Sequence, residues 1–249
     1  MYHFYTDKSN ILDKQISVFG EDVNHIKNVL RMQIGEELII CDGEGVDYHC
    51  RISEFGKDYV NADILEFADS EAEMPFKVYL FQGLPKKDKM EMIIQKTVEL
   101  GVYEIIPVMT KRVIVKLDDP KKEAKKLERW QAIAESGAKQ SGRGIIPKVH
   151  SLLSFKEAIK MAKDMDMAII PYENADSSAE GMRQARELIE SFKDKGSVAV
   201  FIGPEGGFEA SEVEFAMENG VKPVTLGKRI LRTETAGLMV LSAIGFLAN

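Results

Sequence analysis

A chain of 249 residues, 45% hydrophobic and 29% charged, is long enough to bury one large core or two smaller ones, and its composition is that of a soluble globular protein. No apolar run reaches the roughly 18 residues of a membrane span. MYHFYTDKSN also lacks the basic and apolar regions of a signal peptide, so a cytoplasmic protein with no membrane partner is expected. The net charge of −7 speaks at first against nucleic acid, and four scattered histidines with two cysteines predict no metal site.

The first 70 residues read as short strands separated by turns. ELIICDG and VDYHCRI flank a Gly-rich turn, KDYVNADILEF follows, and EDVNHIKNVLRM is a helical interruption ended by Gly35. Short strands at close spacing predict a small β-barrel. If the hairpin centres on Glu44-Gly45, Cys41 and Cys50 face each other across it, although a cytoplasmic compartment argues against a disulfide. The acidic stretch EFADSEAEMP, closed by Pro75, is the expected boundary, giving domains at 1–70 and 74–249.

Beyond Pro75 strands alternate with helices. FKVYLFQG precedes the helix KKDKMEMIIQKTVELG, whose Met90, Ile93, Ile94 and Val98 form a core stripe. VYEIIPV precedes the long helix PKKEAKKLERWQAIAESGAKQ. FKEAIKMAK, MAII, SSAEGMRQARELIESFK, SVAVFIG, EASEVEFAMENG, KPVTLG and TETAGLMVLSAIGFLAN continue the alternation. This pattern predicts an α/β domain with a parallel sheet covered on both faces. Ligands of such sheets bind beyond the C-terminal strand ends. Three of these ends stand out: MAII-PYEN, VFI-GPEGG and VTL-GKRILRTE.

The GPEGG turn, residues 203–207, matches neither a dinucleotide fingerprint nor a phosphate loop. It is either a tight connection or a loop whose bare peptide groups meet a heterocycle or ribose, with Glu205 favouring a cationic or hydroxyl-rich ligand. Arg229 and Arg232 follow Leu226-Gly227 and immediately precede a helix that is apolar nearly all round, which needs burial by its own domain or by a partner. Charge is unevenly distributed. Residues 83–148 carry fifteen Lys/Arg against nine Asp/Glu, whereas residues 1–75 carry six against sixteen. Either these cations are solvated helix faces or they form a footprint for a polyanion. On the second reading Lys86, Lys89 and Lys96, with Arg112, Lys139 and Arg143, suit phosphate contacts that position RNA.

FIGPEGGFEASEVE followed by LGKRILRTETA resembles the two signature loops of the RsmE family, bacterial SPOUT methyltransferases that act on N3 of a uridine in 16S ribosomal RNA. KKDKMEMIIQKTVELGV, QAIAESGAKQSGRGIIP and NHIKNVLRMQIGEELIICDGEG resemble the family in the same order, so the likeness spans nearly the whole chain. The resemblance implies a PUA-like RNA-binding barrel, then an α/β SPOUT methyltransferase domain with a C-terminal trefoil knot. It also implies S-adenosylmethionine as cofactor, 16S RNA of the 30S subunit as partner, and a homodimer through the knot region and C-terminal helix.

The loops that the resemblance assigns to the cofactor contain Tyr172, Glu173, Gly203, Pro204, Glu205, Gly206, Gly207, Leu226, Gly227, Ile230, Leu231, Arg232, Thr235 and Ala236. Arg232 is the expected stabiliser of the uracil anion, and Glu205 either a base or an electrostatic partner of the sulfonium. His25 and Arg31, with Lys27, are the expected RNA contacts of the acidic barrel. The competing expectations are another SPOUT enzyme, acting on tRNA or a ribose 2′-OH, and a non-catalytic RNA-binding assembly factor.

Overall fold

The computed structural model describes residues 1–114, 120–173 and 175–248. The chain forms two compact units, Met1–Glu73 with Ala138–Ile146 and Met74–Gly137 with Pro147–Asn249.

The first unit holds β1 (His3–Tyr5), β2 (Gln15–Phe19), the short helix α1 (Glu21–Asn24), β3 (Glu37–Cys41), β4 (Val46–Phe55) and β5 (Tyr59–Asp69). The strand order is β1-β3-β4-β5-β2, with β1 parallel to β3 and every other pairing antiparallel. Period-two alternation turns Ile16 and Val18, Leu38 and Ile40, Cys50 and Ile52, and Val60 and Ala62 into one core, with Ile26 and Met32 packed among them. The two edge strands approach where the Thr6 hydroxyl donates to the Ser17 carbonyl at 2.8 Å, which gives the predicted small barrel a half-open seam.

The β3–β4 register pairs Cys41 with Asp47 and Leu38 with Cys50, so the hairpin centres on Glu44. Leu38 and Cys41 are an odd number of residues apart and therefore point to opposite faces. The expected juxtaposition of the cysteines is thereby corrected: both are buried free thiols on different faces, each raised to about 12, mainly by burial.

Residues 138–146 belong to this unit although residues 70–137 separate them from its last strand. Gly45 N–H donates to the Gly144 carbonyl at 3.0 Å, Ile146 N–H to Gly43 O at 3.0 Å, and the Tyr5 hydroxyl to the Arg143 carbonyl. A two-domain division at residues 70 and 74 does not contain this return of the chain, because no local pattern encodes it.

The second unit runs β6 (Lys77–Gly83), α2 (Lys89–Glu99), β7 (Glu104–Met109), α3 (Pro120–Ser141), β8 (Lys148–Val149), β9 (Leu153–Ser154), α4 (Phe155–Ala162), β10 (Met167–Pro171), α5 (Ala179–Glu190), β11 (Ser197–Ile202), α6 (Ala210–Glu218), β12 (Lys222–Val224) and α7 (Thr233–Ala248). The sheet order is β12-β10-β11-β6-β7-β8, with β9 also on β7, and all pairings are parallel. Helices cover both faces, so β6 and β11 read as continuous apolar runs, and their Phe81 and Phe201 rings stack with centroids 4.5 Å apart. A Ser154–Glu157 capping box fixes the start of α4. From β10 the chain steps to β11 on one side, then returns past β10 to β12 on the other. That reversal opens a crevice at the C-terminal strand ends, where ligands of α/β sheets bind.

Candidate active site

The loops leaving β10, β11 and β12 wall a cavity of about 260 Å³. Tyr172, Glu173, Gly203, Pro204, Glu205, Gly206, Gly207, Leu226, Gly227, Ile230, Leu231 and Ala236 all line it. Arg232 and Thr235 do not, and Asn174 of the first loop lies outside the described residues. The cavity also takes in Phe208, Thr225, Lys228, Arg229 and Thr233. Tyr172 is set against the third loop by its N–H, which donates to Val224 O at 3.0 Å.

The GPEGG turn is braced at nearly every residue. Gly207 closes it with φ +66°, a conformation that favours glycine, and donates its N–H to Pro204 O at 2.9 Å. The Thr233 hydroxyl donates to Gly203 O at 2.6 Å, and the amide of fully buried Gln82 donates to Thr233 Oγ1 at 2.9 Å. Arg112 donates to Gly206 O at 2.7 Å. Glu212, buried at the start of α6, accepts from the N–H groups of Lys111 and Glu209 and so ties the loop after β7 to the same region. Donor and acceptor directions are therefore set before any ligand arrives, which removes an ordering cost from binding. Neither Gln82 nor Thr233 is marked as a site residue by the sequence alone. Their signals are a polar residue next to last in an apolar strand and a hydroxyl at the helix start.

Glu205 turns towards the approach to α2. Its carboxylate accepts from Lys86 N–H at 3.1 Å and lies 3.1 Å from Lys89 Nζ, which also lies 3.3 Å from Glu234. Burial pushes the Glu205 carboxyl up. Its own N–H, that of Lys86 and the Lys89 ammonium outweigh this and hold it below the usual carboxylate range. Glu205 thus stays ionised at neutral pH.

Close packing makes Gly83, at the end of β6, a sensitive position. A Cβ there would sit 2.6 Å from Pro204 Cδ and 2.7 Å from Pro204 N, so the Pro204 ring or backbone would have to shift. Gly83→Ala is expected to destabilise the protein by roughly 1–3 kcal/mol through overpacking. It should also weaken ligand binding at the cavity, read by calorimetry alongside thermal unfolding. A variant with unchanged affinity and melting temperature would show that the turn tolerates displacement.

The cations expected to meet RNA divide by their partners. Lys89 is shared between Glu205 and Glu234, Lys96 pairs with Glu99 at 2.7 Å, and Arg112 holds the signature turn. Lys139 reaches Asp22 at 3.2 Å within the first unit. Arg143 is 3% exposed and its guanidinium forks onto the carboxylate of Glu73, with Nε and Nη2 at 3.2 and 2.5 Å from its oxygens. Its place among the RNA contacts is corrected: a buried, paired arginine is a strut of the first unit and has no surface to offer a phosphate. Lys86 is exposed, and His25 and Arg31 are exposed on the turn after α1, Arg31 with φ +55°. Lys27 is occupied by the carbonyls of Gly56 and Lys57. Arg232 is exposed and has no side-chain partner among the described residues.

Comparison with known proteins gives this geometry its context. Residues 72–245 match the model of an RNA methyltransferase domain, and residues 20–65 that of an RNA methyltransferase PUA domain. Ribosomal RNA small subunit methyltransferase E of Bacillus subtilis is 43% identical over 231 residues, which cover 92% of this chain and 89% of that protein. The chain belongs to the RsmE family. The enzyme of the same name from Mesomycoplasma hyopneumoniae is 34% identical, covering 97% of this chain and 98% of its own. The crystal structure of the Neisseria gonorrhoeae RsmE protein bound to S-adenosylmethionine superposes with a TM-score of 0.80 at 33% identity, covering 99% of this chain and 98% of that one. A methyltransferase from Legionella pneumophila, also in complex with S-adenosylmethionine, gives a TM-score of 0.77 at 30% identity, with 97% and 96% covered. Membership agrees with the fold class expected above, a PUA-like barrel ahead of an α/β RNA methyltransferase domain. No described helix is long and apolar enough to cross a membrane.

Proposed function

We propose that this RsmE-family chain is an S-adenosylmethionine-dependent methyltransferase that modifies N3 of a uridine in 16S ribosomal RNA of the small subunit, in the cytoplasm. The observation that carries this reading is the cavity formed by the loops after β10, β11 and β12 in a chain of this family. Its residues suit the cofactor. Buried Pro204 and Phe208 give an apolar floor, and the glycines leave peptide groups accessible to a flat base and ribose. Glu173 and Glu205 complement cationic groups, and Lys228 and Arg229 a carboxylate. When bound, the cofactor supplies a methyl group on a positively charged sulfur.

The protein's own task is then to hold the uracil in line and to favour loss of the N3 proton. Arg232 stands outside the cavity wall with no partner among the described residues, and we assign it to the uracil oxygen on which charge accumulates as that proton passes to solvent water. Of the two roles expected for Glu205, the electrostatic one is favoured. A carboxylate held below its usual range by Lys89 and two N–H groups is a weak proton acceptor but a fixed negative charge.

Mass spectrometry of 16S RNA and tRNA fragments from a deletion strain tests the reading. Loss of one methyl from a uridine of 16S RNA, restored by the purified protein acting on small subunits, is expected. Intact 16S methylation with a loss from tRNA instead would overturn it.

The same reading includes a homodimer through the knot region and α7. Phe246 is 85% exposed, and Met239, two helical turns earlier, shares its exposed face. Phe246→Glu is expected to shift sedimentation from dimer to monomer. A wild-type chain that sediments as a monomer at micromolar concentration would rule the dimer out.

A further inference from the structure

The proposed function needs an electropositive surface for RNA, yet most cations whose spacing suits it are held by partners within the chain. Lys89, Lys96 and Lys139 are bound to carboxylates, Arg112 to a backbone carbonyl, and Arg143 is buried. The net negative charge of the chain makes the location of free positive charge more consequential.

The first half of α3 supplies it. Residues 120–129, PKKEAKKLER, contain five Lys/Arg against two Glu. Lys122, Lys125, Lys126 and Arg129 fall at i, i+3, i+4 and i+7 and so share one face. The core side of the helix is defined by Trp130, Ala134 and Ala138, which are buried. Lys122, Lys125 and Lys126 are exposed and, among the described residues, have no carboxylate partner. Among the described residues, Glu123 and Glu128 on the same helix form no ion pair with them. Arg129 pairs with Glu91 of α2 at 2.7 Å and so anchors one end of the stripe to its neighbour. At a rise of about 1.5 Å per residue the four positions span roughly 10 Å, enough to follow two or three successive phosphates of one strand.

We propose that the Lys122–Lys125–Lys126 face of α3 is a phosphate-tracking surface that docks ribosomal RNA on the methyltransferase unit without reading its sequence. The inference rests on the RNA-methyltransferase reading above and adds the element that holds the RNA backbone. Three ammonium groups on flexible stems suit phosphates approached from several directions, whereas base recognition calls for fixed bidentate geometry.

The test compares the wild-type chain with Lys122→Gln/Lys125→Gln/Lys126→Gln. It measures binding to a 16S RNA fragment and to an unrelated RNA of equal length between 50 and 300 mM salt. Glutamine keeps helix propensity and removes only the charge. The slope of log affinity against log salt is expected to become shallower by about 2 in the variant, equally for both RNAs. KM for RNA should rise with kcat at saturation unchanged, while cofactor affinity and melting temperature stay at wild-type values.

An unchanged salt slope and KM would overturn the proposal and leave the methyltransferase reading standing. A wild-type chain that binds neither RNA would instead overturn the reading on which it rests. Loss confined to the 16S fragment would also overturn it, since backbone contacts act on any sequence.

Discussion

Arg232→Ala is expected to lower kcat by roughly 100- to 1000-fold, the range seen when one donor to a developing anion is removed. Cofactor affinity should stay within about twofold. The separation follows from geometry: Arg232 lies outside the cavity wall, whereas its neighbours Ile230 and Leu231 line it. A guanidinium with no partner among the described residues gains its interaction when substrate carries charge, which is the condition for lowering a barrier and not only a dissociation constant. Arg232→Lys should recover part of the rate, because it restores charge without the planar fork. Single-turnover kinetics with small subunits, set beside calorimetry with the cofactor alone, reads both quantities. A variant that lost cofactor binding and kept its rate at saturation would place Arg232 in the cofactor site instead.

The second large effect is on stability. Removing the Arg143 guanidinium with Arg143→Met leaves Glu73, 15% exposed at its side chain, without its counter-charge. Breaking a buried pair from one side typically costs about 3–5 kcal/mol, far more than the pair itself contributes. Glu73 also accepts from the Ile145 N–H, so a displaced carboxylate would disturb the 138–146 segment where it lies against β1 and the β3–β4 turn. Chemical denaturation should therefore show a marked fall in midpoint for Arg143→Met. The double variant Glu73→Leu/Arg143→Met should recover much of it. If the single variant kept wild-type stability and lost only RNA affinity, the arginine would be a ligand after all.

These two arginines illustrate what could be read without coordinates. Both sit in segments that resemble the family, and both are basic residues beside a turn. Pattern alone treats them alike, since charge at a loop end predicts exposure. The difference arises from residues remote in sequence: Glu73 closes over Arg143, and none of the described residues pairs with Arg232. The same holds for Lys89, whose helical spacing places it with Lys86 on an outward face, while Glu205 and Glu234 arrive from more than a hundred residues away. Gln82 and Thr233 carry only weak signals for a related reason, because a relay between buried polar groups is a three-body arrangement with no spacing of its own.

By itself the sequence determined the alternation of strands and helices, the small barrel before a parallel sheet, and the strand-end loops that wall the cavity. These depend on periodicity, on glycine and proline punctuation, and on signature motifs, all of which act over a few residues. Only the tertiary structure decided which charges are spent within the molecule and which remain for a ligand. It also decided that 138–146 joins the first unit and that the two cysteines face apart. The physical reason is that an ion pair or a strand register is fixed by partners brought together in folding. A side chain's freedom belongs to its surroundings in space more than to its neighbours in the chain.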